Sequence, residues 1–383
     1  MKTETTRRDE YNSFEQHLYM AFELSKAEWK LGFTIGFGQM ARIRTIRARN
    51  LSALQREIQT AKQRFGLPED TPVMSCYEAG RDGFWLHRFL QTLGVESLIV
   101  DSSSIEVNRK ARRAKTDKLD VRKLLMMVMR YHLGEKKVWS VVNAPSLEAE
   151  DHRHLHRELE TLKAERTQHI NRIKGLLTGQ GVCISIRGDF LEQLDMIRLW
   201  DRSTLRPGLR TRLQREYERM QFVQSQIKIL EAERLDLIRN STRPDVEMVR
   251  QLLRLKGIGV ASSWLYVMEF FAWRNFRNRR EVGALAGLAP TPFQSGDDAR
   301  EQGISKEGNT FVRSMAIQIA WGWLRHQPES KLSLWYEKRF GHGSKRLRKI
   351  GIVALARKLL VDIWRYLETG LIPQGAELKT RLF

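Results

Sequence analysis

Two hydrophobic periods run along this chain and divide it. Across 29–35, Trp29, Leu31, Phe33 and Ile35 alternate with Lys30, Gly32 and Thr34, the period of a strand with one buried face. The run before it, 17–24, is apolar on both faces (Leu18, Met20, Phe22 and Leu24 against Tyr19 and Ala21), as a central strand is. Its exception is Glu23. A tight polar turn at 25–28 joins the two runs. The pattern then predicts a strand at 43–48, a helix over 51–65, a strand at 73–77, a helix over 84–93, a strand at 98–100 and a helix over 117–131. Three strands followed by helix, strand, helix, strand and helix is the order of an α/β domain with a mixed sheet, here over 16–135.

Past residue 146 the period lengthens. Leu155, Leu159, Leu162, Ile170, Ile173 and Leu177 recur among many charges, as on a long amphipathic helix over 147–177. Leu213, Tyr217, Met220, Ile227, Leu230 and Leu237 mark a second over 209–240. The two are expected to pair antiparallel, close to a coiled coil, over 146–242. Such an arm serves dimerisation or nucleic-acid binding, or is a plain helical linker. The remainder, 244–370, reads as mainly helical. A helix ends near Leu255, Gly257-Ile258-Gly259 makes a hairpin, and a helix follows over 261–270. A short helix at 281–287 precedes a polar loop at 290–308. Asn309 then caps a helix carrying Phe311, Met315, Ile319 and Trp323. The basic run Lys345-Arg346-Leu347-Arg348-Lys349 precedes a last helix over 352–367.

Charge narrows the partner. Lys and Arg number 66 against 45 Asp and Glu in 383 residues, a net +21. That excess points to a polyanion, with nucleic acid ahead of an anionic membrane. Cys76 and Cys183 form no CxxC pair, which excludes a zinc ribbon or a disulfide framework and fits a reducing cytoplasm. The first 15 residues hold no apolar signal core, and no apolar run approaches the roughly 20 residues that span a bilayer. A soluble, cytoplasmic protein is expected, with no membrane partner.

Four acids carry the candidate chemistry. Glu23 lies inside an apolar strand, where a charge is costly unless it has a task. Glu78 ends the 73–77 strand, and Asp117 and Asp120, three apart at a helix start, share one face. Singly, each reads as a surface charge, and Asp117 also as a complement to the helix dipole. Together they offer the oxygen ligands that one or two Mg²⁺ ions prefer, and two such ions stabilise both oxygens of a phosphodiester displacement. Asp101 is a fifth candidate, better explained as a turn cap. Arg109, Lys110, Arg112, Arg113 and Lys115 lie beside the acids, placed to touch a nucleic-acid backbone. His152, His154 and His156, spaced by two on a helix, are scattered around it and make no metal site. Trp264, Trp273 and Trp321 read as core rather than as stacking platforms.

These motifs carry a resemblance. Glu23, Tyr77-Glu78-Ala79-Gly80 and Lys115-Thr116-Asp117-Lys118-Leu119-Asp120 resemble the ribonuclease-H-like, junction-resolvase-type domain of the DEDD transposases of bacterial insertion sequences. Many of these are guided by a bridging RNA. Leu255-Lys256-Gly257-Ile258-Gly259, Gly287-Leu288-Ala289-Pro290, Gln294-Ser295-Gly296 and Gly303-Ile304-Ser305-Lys306-Glu307-Gly308-Asn309 resemble that family's C-terminal transposase domain in order and spacing. The likeness runs from Leu18 to about Phe340. One departure is Glu23, where the family usually has Asp. The resemblance implies metal binding by Glu23, Glu78, Asp117 and Asp120, and attack on a DNA phosphate by Ser295. Gly257-Ile258-Gly259 between two helices reads as a helix-hairpin-helix, whose backbone N–H groups can hold a phosphate, or as a simple helix–helix turn. With Lys306, that hairpin would contact the nucleic-acid backbone. The resemblance also implies DNA as donor and target, a guide RNA, a homo-oligomer and work at the bacterial nucleoid.

Three readings follow. The first is a transposase or site-specific recombinase that cuts and rejoins DNA through Ser295. The second is a junction-resolving nuclease in which water attacks. The third is a nucleic-acid-binding protein whose acids are structural.

Overall fold

Strand alternation organises the first part of the molecule. The computed structural model describes residues 16–80, 83–105, 117–295 and 298–381; for 103, 117–118, 292–295 and 298–302 it describes the backbone. The chain divides into two compact units, Met1–Ala144 and Pro145–Phe383. The first holds strands β1 (Leu18–Leu24), β2 (Glu28–Thr34), β3 (Arg42–Arg47), β4 (Val73–Glu78) and β5 (Glu96–Val100) with helices α1 (Leu51–Arg64), α2 (Trp85–Thr92) and α3 (Asp117–His132). They form one sheet in the order β3-β2-β1-β4-β5, with β2 antiparallel to both neighbours and β4 parallel to both of its own. The expected mixed sheet is therefore present, and β1 is its central strand.

Both faces of β1 are covered, which explains why its sequence is apolar throughout. Leu18, Met20 and Phe22 join Trp29, Leu31 and Phe33 of β2, Leu54 and Ile58 of α1, and Leu86 and Leu90 of α2 in one core. Tyr19 and Ala21, with Met74 and Cys76 of β4, meet Val121, Leu125 and Val128 of α3 on the other face. There the sheet is thin. Ala21 pairs with Gly32 on one side and Cys76 on the other, so three small residues lie abreast. A Cβ on Gly32 would stand 2.3 Å from Val121 Cγ1 and 2.9 Å from Leu125 Cδ1. The far end of α3 is fixed by a 2.7 Å hydrogen bond between the Tyr19 hydroxyl and His132 Nδ1. Since Tyr19 begins β1 and His132 ends α3, the helix runs against β1 and starts beside that strand's carboxyl end.

The second unit begins with two long helices, α4 (Leu147–Thr178) and α6 (Pro207–Asn240). Their pairing is antiparallel: Lys163 faces Glu231 at 3.5 Å, Arg166 donates to Gln224 at 2.8 Å, and His169 meets Glu216 at 2.7 Å. Leu159 packs with Val223 and Ile227 along the seam. The connecting residues, which include the short α5 (Phe190–Gln193), bury Phe190, Leu194 and Leu199 with Ile173, Leu213 and Tyr217 in a core of their own. Helices α7 (Pro244–Leu253), α8 (Val260–Tyr266), α9 (Arg279–Leu285), α10 (Thr310–His326), α11 (Lys331–Tyr336) and α12 (Lys345–Thr369) follow. They surround a core built on Trp264, Phe270, Trp323 and Leu359. Among the described residues, no helix is long and apolar enough to cross a membrane.

Three expectations are corrected. The polar segment 290–308 is a β-hairpin, β6 (Pro290–Ser295) paired antiparallel with β7 (Asp298–Ile304). Backbone pairing holds it, so its sequence carries no hydrophobic alternation. The basic run at 345–349 forms the first turns of α12 rather than a lead-in, because the Ser344 side chain caps Leu347 N–H and Lys and Arg extend helices readily. Trp321 is about half exposed on α10, whereas Trp264 is buried.

Replacing Gly32 with Val should cost about 1–3 kcal/mol, because α3 must lift from the sheet to accept the side chain. Chemical denaturation of the purified protein reads this directly, and the same change at exposed Gly38 is not a fair control because its φ is positive. Exposed Lys26→Val serves instead, with an expected change within about 0.5 kcal/mol.

Candidate carboxylate site and serine hairpin

The alternation that buries β1 also aims its acid. Side chains two apart share a face, so Glu23 follows Tyr19 and Ala21 onto the α3 side of the sheet. Glu78 follows Met74 and Cys76 onto the same side. The last parallel pair is Phe22 with Tyr77, so Glu23 and Glu78 stand one step beyond it, side by side at adjacent strand ends. On its other flank Glu23 pairs with Lys30. A cleft of about 230 Å³ opens here, lined by Phe22, Glu23, Leu24, Tyr77, Glu78, Ala79, Gly80 and Gly83. Tyr77 steadies its rim by donating its hydroxyl to the Gly83 carbonyl at 3.2 Å.

The position has meaning in the topology. From β1 the chain turns to β2 and β3 on one side, then crosses to β4 on the other. Ligands of open α/β sheets bind outside the carboxyl ends of the strands at such a reversal. Helix α3 begins at this end with Asp117, and Asp120, half-buried, precedes Val121, which packs on the sheet at Gly32. Glu23, Glu78 and Asp120 are thus brought to one end of one face. Asp101 follows β5, and its backbone carbonyl accepts from Ser104 Oγ at 2.7 Å. Among the described residues, no three side chains of His, Cys, Asp or Glu are grouped closely enough to hold an ion, and the Asp117 side chain is not among those described. Arg109, Lys110, Arg112, Arg113 and Lys115 lie outside the described residues. The donors at this end are all carboxylate oxygens, the set that suits a hard cation such as Mg²⁺.

In the second unit the glycine motifs explain a hairpin root. At Gly287, φ is +67° and a Cβ would meet the Glu307 carbonyl oxygen at 2.0 Å; at Gly308, φ is +92° and it would meet the Leu285 carbonyl oxygen at 2.2 Å. Two backbone segments touch here, which only glycine permits. Ser305 N–H donates to the Ala289 carbonyl, Lys306 N–H to Gly287 and Asn309 N–H to Leu285. From this root β6 runs out to Ser295, which pairs with Asp298 at the far end. Lys306 is exposed at the root in the left-handed region, φ 59°. Gly257, φ +84°, turns the chain between α7 and α8. The N–H groups of Ile258 and Gly259 are taken by the Leu255 carbonyl and Ser262 Oγ.

Sequence reasoning missed the acid beneath the root. Glu269 is fully buried in a π-helical turn at Val267–Phe271. Arg157 of α4 grips it with two bonds, Nε to Oε1 at 2.6 Å and Nη2 to Oε2 at 3.0 Å. Asn309 Nδ2 donates to Oε2 at 3.3 Å while its own Oδ1 caps Val312 N–H at the start of α10. Burial pushes the Glu269 carboxyl up, but the bonds and charge of Arg157, with Arg153 and Asn309, outweigh it and hold the group below its ordinary range. The signal was a lone charge in the apolar run 264–271, the same signal that marks Glu23.

Arg157→Ala leaves that carboxylate buried without its main partner and should cost about 3 kcal/mol. Because the folded pKa of Glu269 is depressed, its contribution is present above the ordinary carboxylate range and lost as pH falls through the depressed value. Urea melts should therefore show the variant's deficit largest near neutral pH and shrinking as pH falls, because the native chain loses the pair's contribution there while the variant's unpartnered buried carboxyl is relieved by protonation. Coincident profiles would remove Glu269 as a keystone of the root.

The IS116/IS110/IS902 transposase family pattern matches residues 249–334, which hold the Gly257 turn, the hairpin and α10. A transposase homologue of Sinorhizobium fredii, y4rJ, is 39% identical over 376 residues, 95% of each chain. The transposase for insertion sequence element IS1111A of Coxiella burnetii is 28% identical over 230 residues, 59% of this chain and 61% of its own. That for IS1328 of Yersinia enterocolitica is 25% identical over 212 residues, 55% of this chain and 60% of its own. Identity near two in five across almost the whole length places this chain in the IS116/IS110/IS902 transposase family.

Proposed function

We propose that the protein cuts and rejoins DNA as a transposase, with Glu23, Glu78, Asp117 and Asp120 holding a divalent cation and Ser295 as nucleophile. The observation that carries this reading is the pair Glu23 and Glu78, side by side on the α3 face at the carboxyl ends of the two central parallel strands. The sheet order β3-β2-β1-β4-β5 with β2 reversed supports a ribonuclease-H-like domain. Bound there, Mg²⁺ would supply charge stabilisation to a phosphodiester undergoing displacement. Glu23 in place of the family's usual Asp reaches one methylene further, with the same charge.

The chain's own residues do the rest. Ser295 Oγ forms a bond to phosphorus as the bond to the departing sugar oxygen breaks, and the hydroxyl proton passes to that oxygen. A serine–phosphate ester conserves the bond energy, so a second strand end can reverse the step without ATP. Ser295 ends β6, five residues beyond Pro290 at the root, which suits a nucleophile delivered on a projecting hairpin. Lys306 at the root and the first turn of α8 after Gly257 and Gly259 would meet backbone phosphates, as would the basic residues Arg109, Lys110, Arg112, Arg113 and Lys115. The α4–α6 pair serves as a coiled-coil-like arm for assembly of copies, and a guide RNA selects the sites.

Ser295→Ala should retain DNA binding but form neither a covalent protein–DNA adduct nor a rejoined product, read on denaturing gels with Mg²⁺ and guide RNA supplied. Alanine at Glu78 or Asp120 should lower strand cleavage by at least about a hundredfold with folding intact, since no buried apolar surface is lost. Recombination by Ser295→Ala at the native rate would transfer the attack to water and make the protein a nuclease.

A further inference from the structure

A cleft of about 1190 Å³ in the second unit has no part in the chemistry above. It lies between α9, the start of α11, one face of α12 and the residues after α12. Six cations line it, Arg279, Arg280, Lys331, Arg357, Lys358 and Arg365, against one acid, Asp362. Among the described residues, Arg365 alone of these has a carboxylate partner, Asp362 at 3.6 Å. The three cations on α12 follow from spacing: Arg357, Lys358 and Arg365 fall on one face of that helix with Val361 and Asp362. Burial pushes the Asp362 carboxyl up, against the pull of Arg365, Lys358 and Lys331; one acid against six cations leaves the cleft strongly positive.

Beneath this rim the floor is apolar. Leu332, Trp335, Val361, Leu371 and Ile372 line it, with Leu371 70% and Ile372 45% exposed. The Lys358 ammonium sits 4.7 Å from the centre of the Trp335 ring, a flexible cover that a flat group can displace. Cations above an aromatic and aliphatic floor match a polynucleotide strand with bare bases: phosphates meet the rim while base faces meet the floor. A duplex presents phosphates but keeps its base faces stacked inside, so it has nothing to offer the floor. A site tells RNA from DNA by polar groups that bond the 2′-hydroxyl; of the uncharged lining side chains, only Thr369 and Gln374 are hydrogen-bonding groups apart from the Trp335 indole. Thymine methyls, by contrast, favour apolar contacts.

We infer that this cleft holds single-stranded DNA. The strand lies beside Ala289 and Pro290, and β6 leaves the cleft at Pro290 to reach Ser295 about 17 Å further along. The inference rests on the DNA-processing reading, and its readout is binding, so it stands or fails independently of Ser295 chemistry.

The test is fluorescence anisotropy of labelled oligothymidylate, about 16 nucleotides long, on the full chain without metal. The double variant Arg280→Glu, Lys331→Glu changes two exposed side chains, so folding is preserved, as thermal melting will confirm. Affinity should fall about tenfold or more, and the salt slope should shrink by about 1.4 for two lost phosphate contacts on a single strand. Trp335→Leu should weaken oligothymidylate binding while leaving the salt slope unchanged. Binding of a duplex of equal length should change less than twofold in both variants. The assignment is overturned if oligothymidylate binding is unchanged in the double variant, or if the duplex loses as much as the single strand. It is equally overturned if oligouridylate binds the native cleft more tightly and is the probe the variants lose, or if polyglutamate displaces the oligonucleotide at equal charge.

Discussion

The first unit depends on how closely α3 can lie on the sheet. Ala21, Gly32 and Cys76 lie abreast and leave no side chain taller than a thiol under Val121 and Leu125. That thin patch sets the height of the helix, and the Tyr19–His132 bond sets its direction. With both fixed, the amino end of α3 must fall at the carboxyl ends of β1 and β4. The acids on the two elements therefore share one end of one face without any bond between them being required. A bulkier residue at 32 would leave every acid in the chain and still spoil the site.

A comparable logic governs the second unit at a different scale. There the close approach is backbone on backbone, at Gly287 and Gly308, and the fixed point is a buried ion pair. Glu269 is held by Arg157 from the long helix α4 and in turn holds Asn309, the cap of α10. The hairpin that ends in Ser295 thus springs from a root tied to the base of the arm. A buried pair of this kind contributes little net stability but makes the loss of either partner costly, which suits a role in fixing geometry.

Much of this was legible in the chain. The period of two in 29–35 and the doubly apolar run of β1 gave the strands, and the odd charge Glu23 gave the acid, because a charge in a covered strand is expensive. The long helices declared themselves through leucine and isoleucine spacing. What stayed hidden was held by other means. Strands β6 and β7 are held by backbone pairing, so 290–308 looked like a loop. The first turns of α12 are basic and exposed, so its start was placed seven residues late, at 352 rather than Lys345. Glu269 showed the same signal as Glu23 and was passed over within an apolar helix. The cleft lined by Arg280, Lys331 and Arg357 draws on three separate elements, and no linear motif records it.

The proposed cation site joins acids on β1, β4 and α3. Electron paramagnetic resonance with Mn²⁺ as a stand-in for Mg²⁺ measures this without DNA, guide RNA or turnover. The native protein should show a bound population that Mg²⁺ displaces and that Glu23→Gln with Glu78→Gln abolishes while the fold persists. Mn²⁺ binding of the same stoichiometry and strength in that double variant would contradict this assignment.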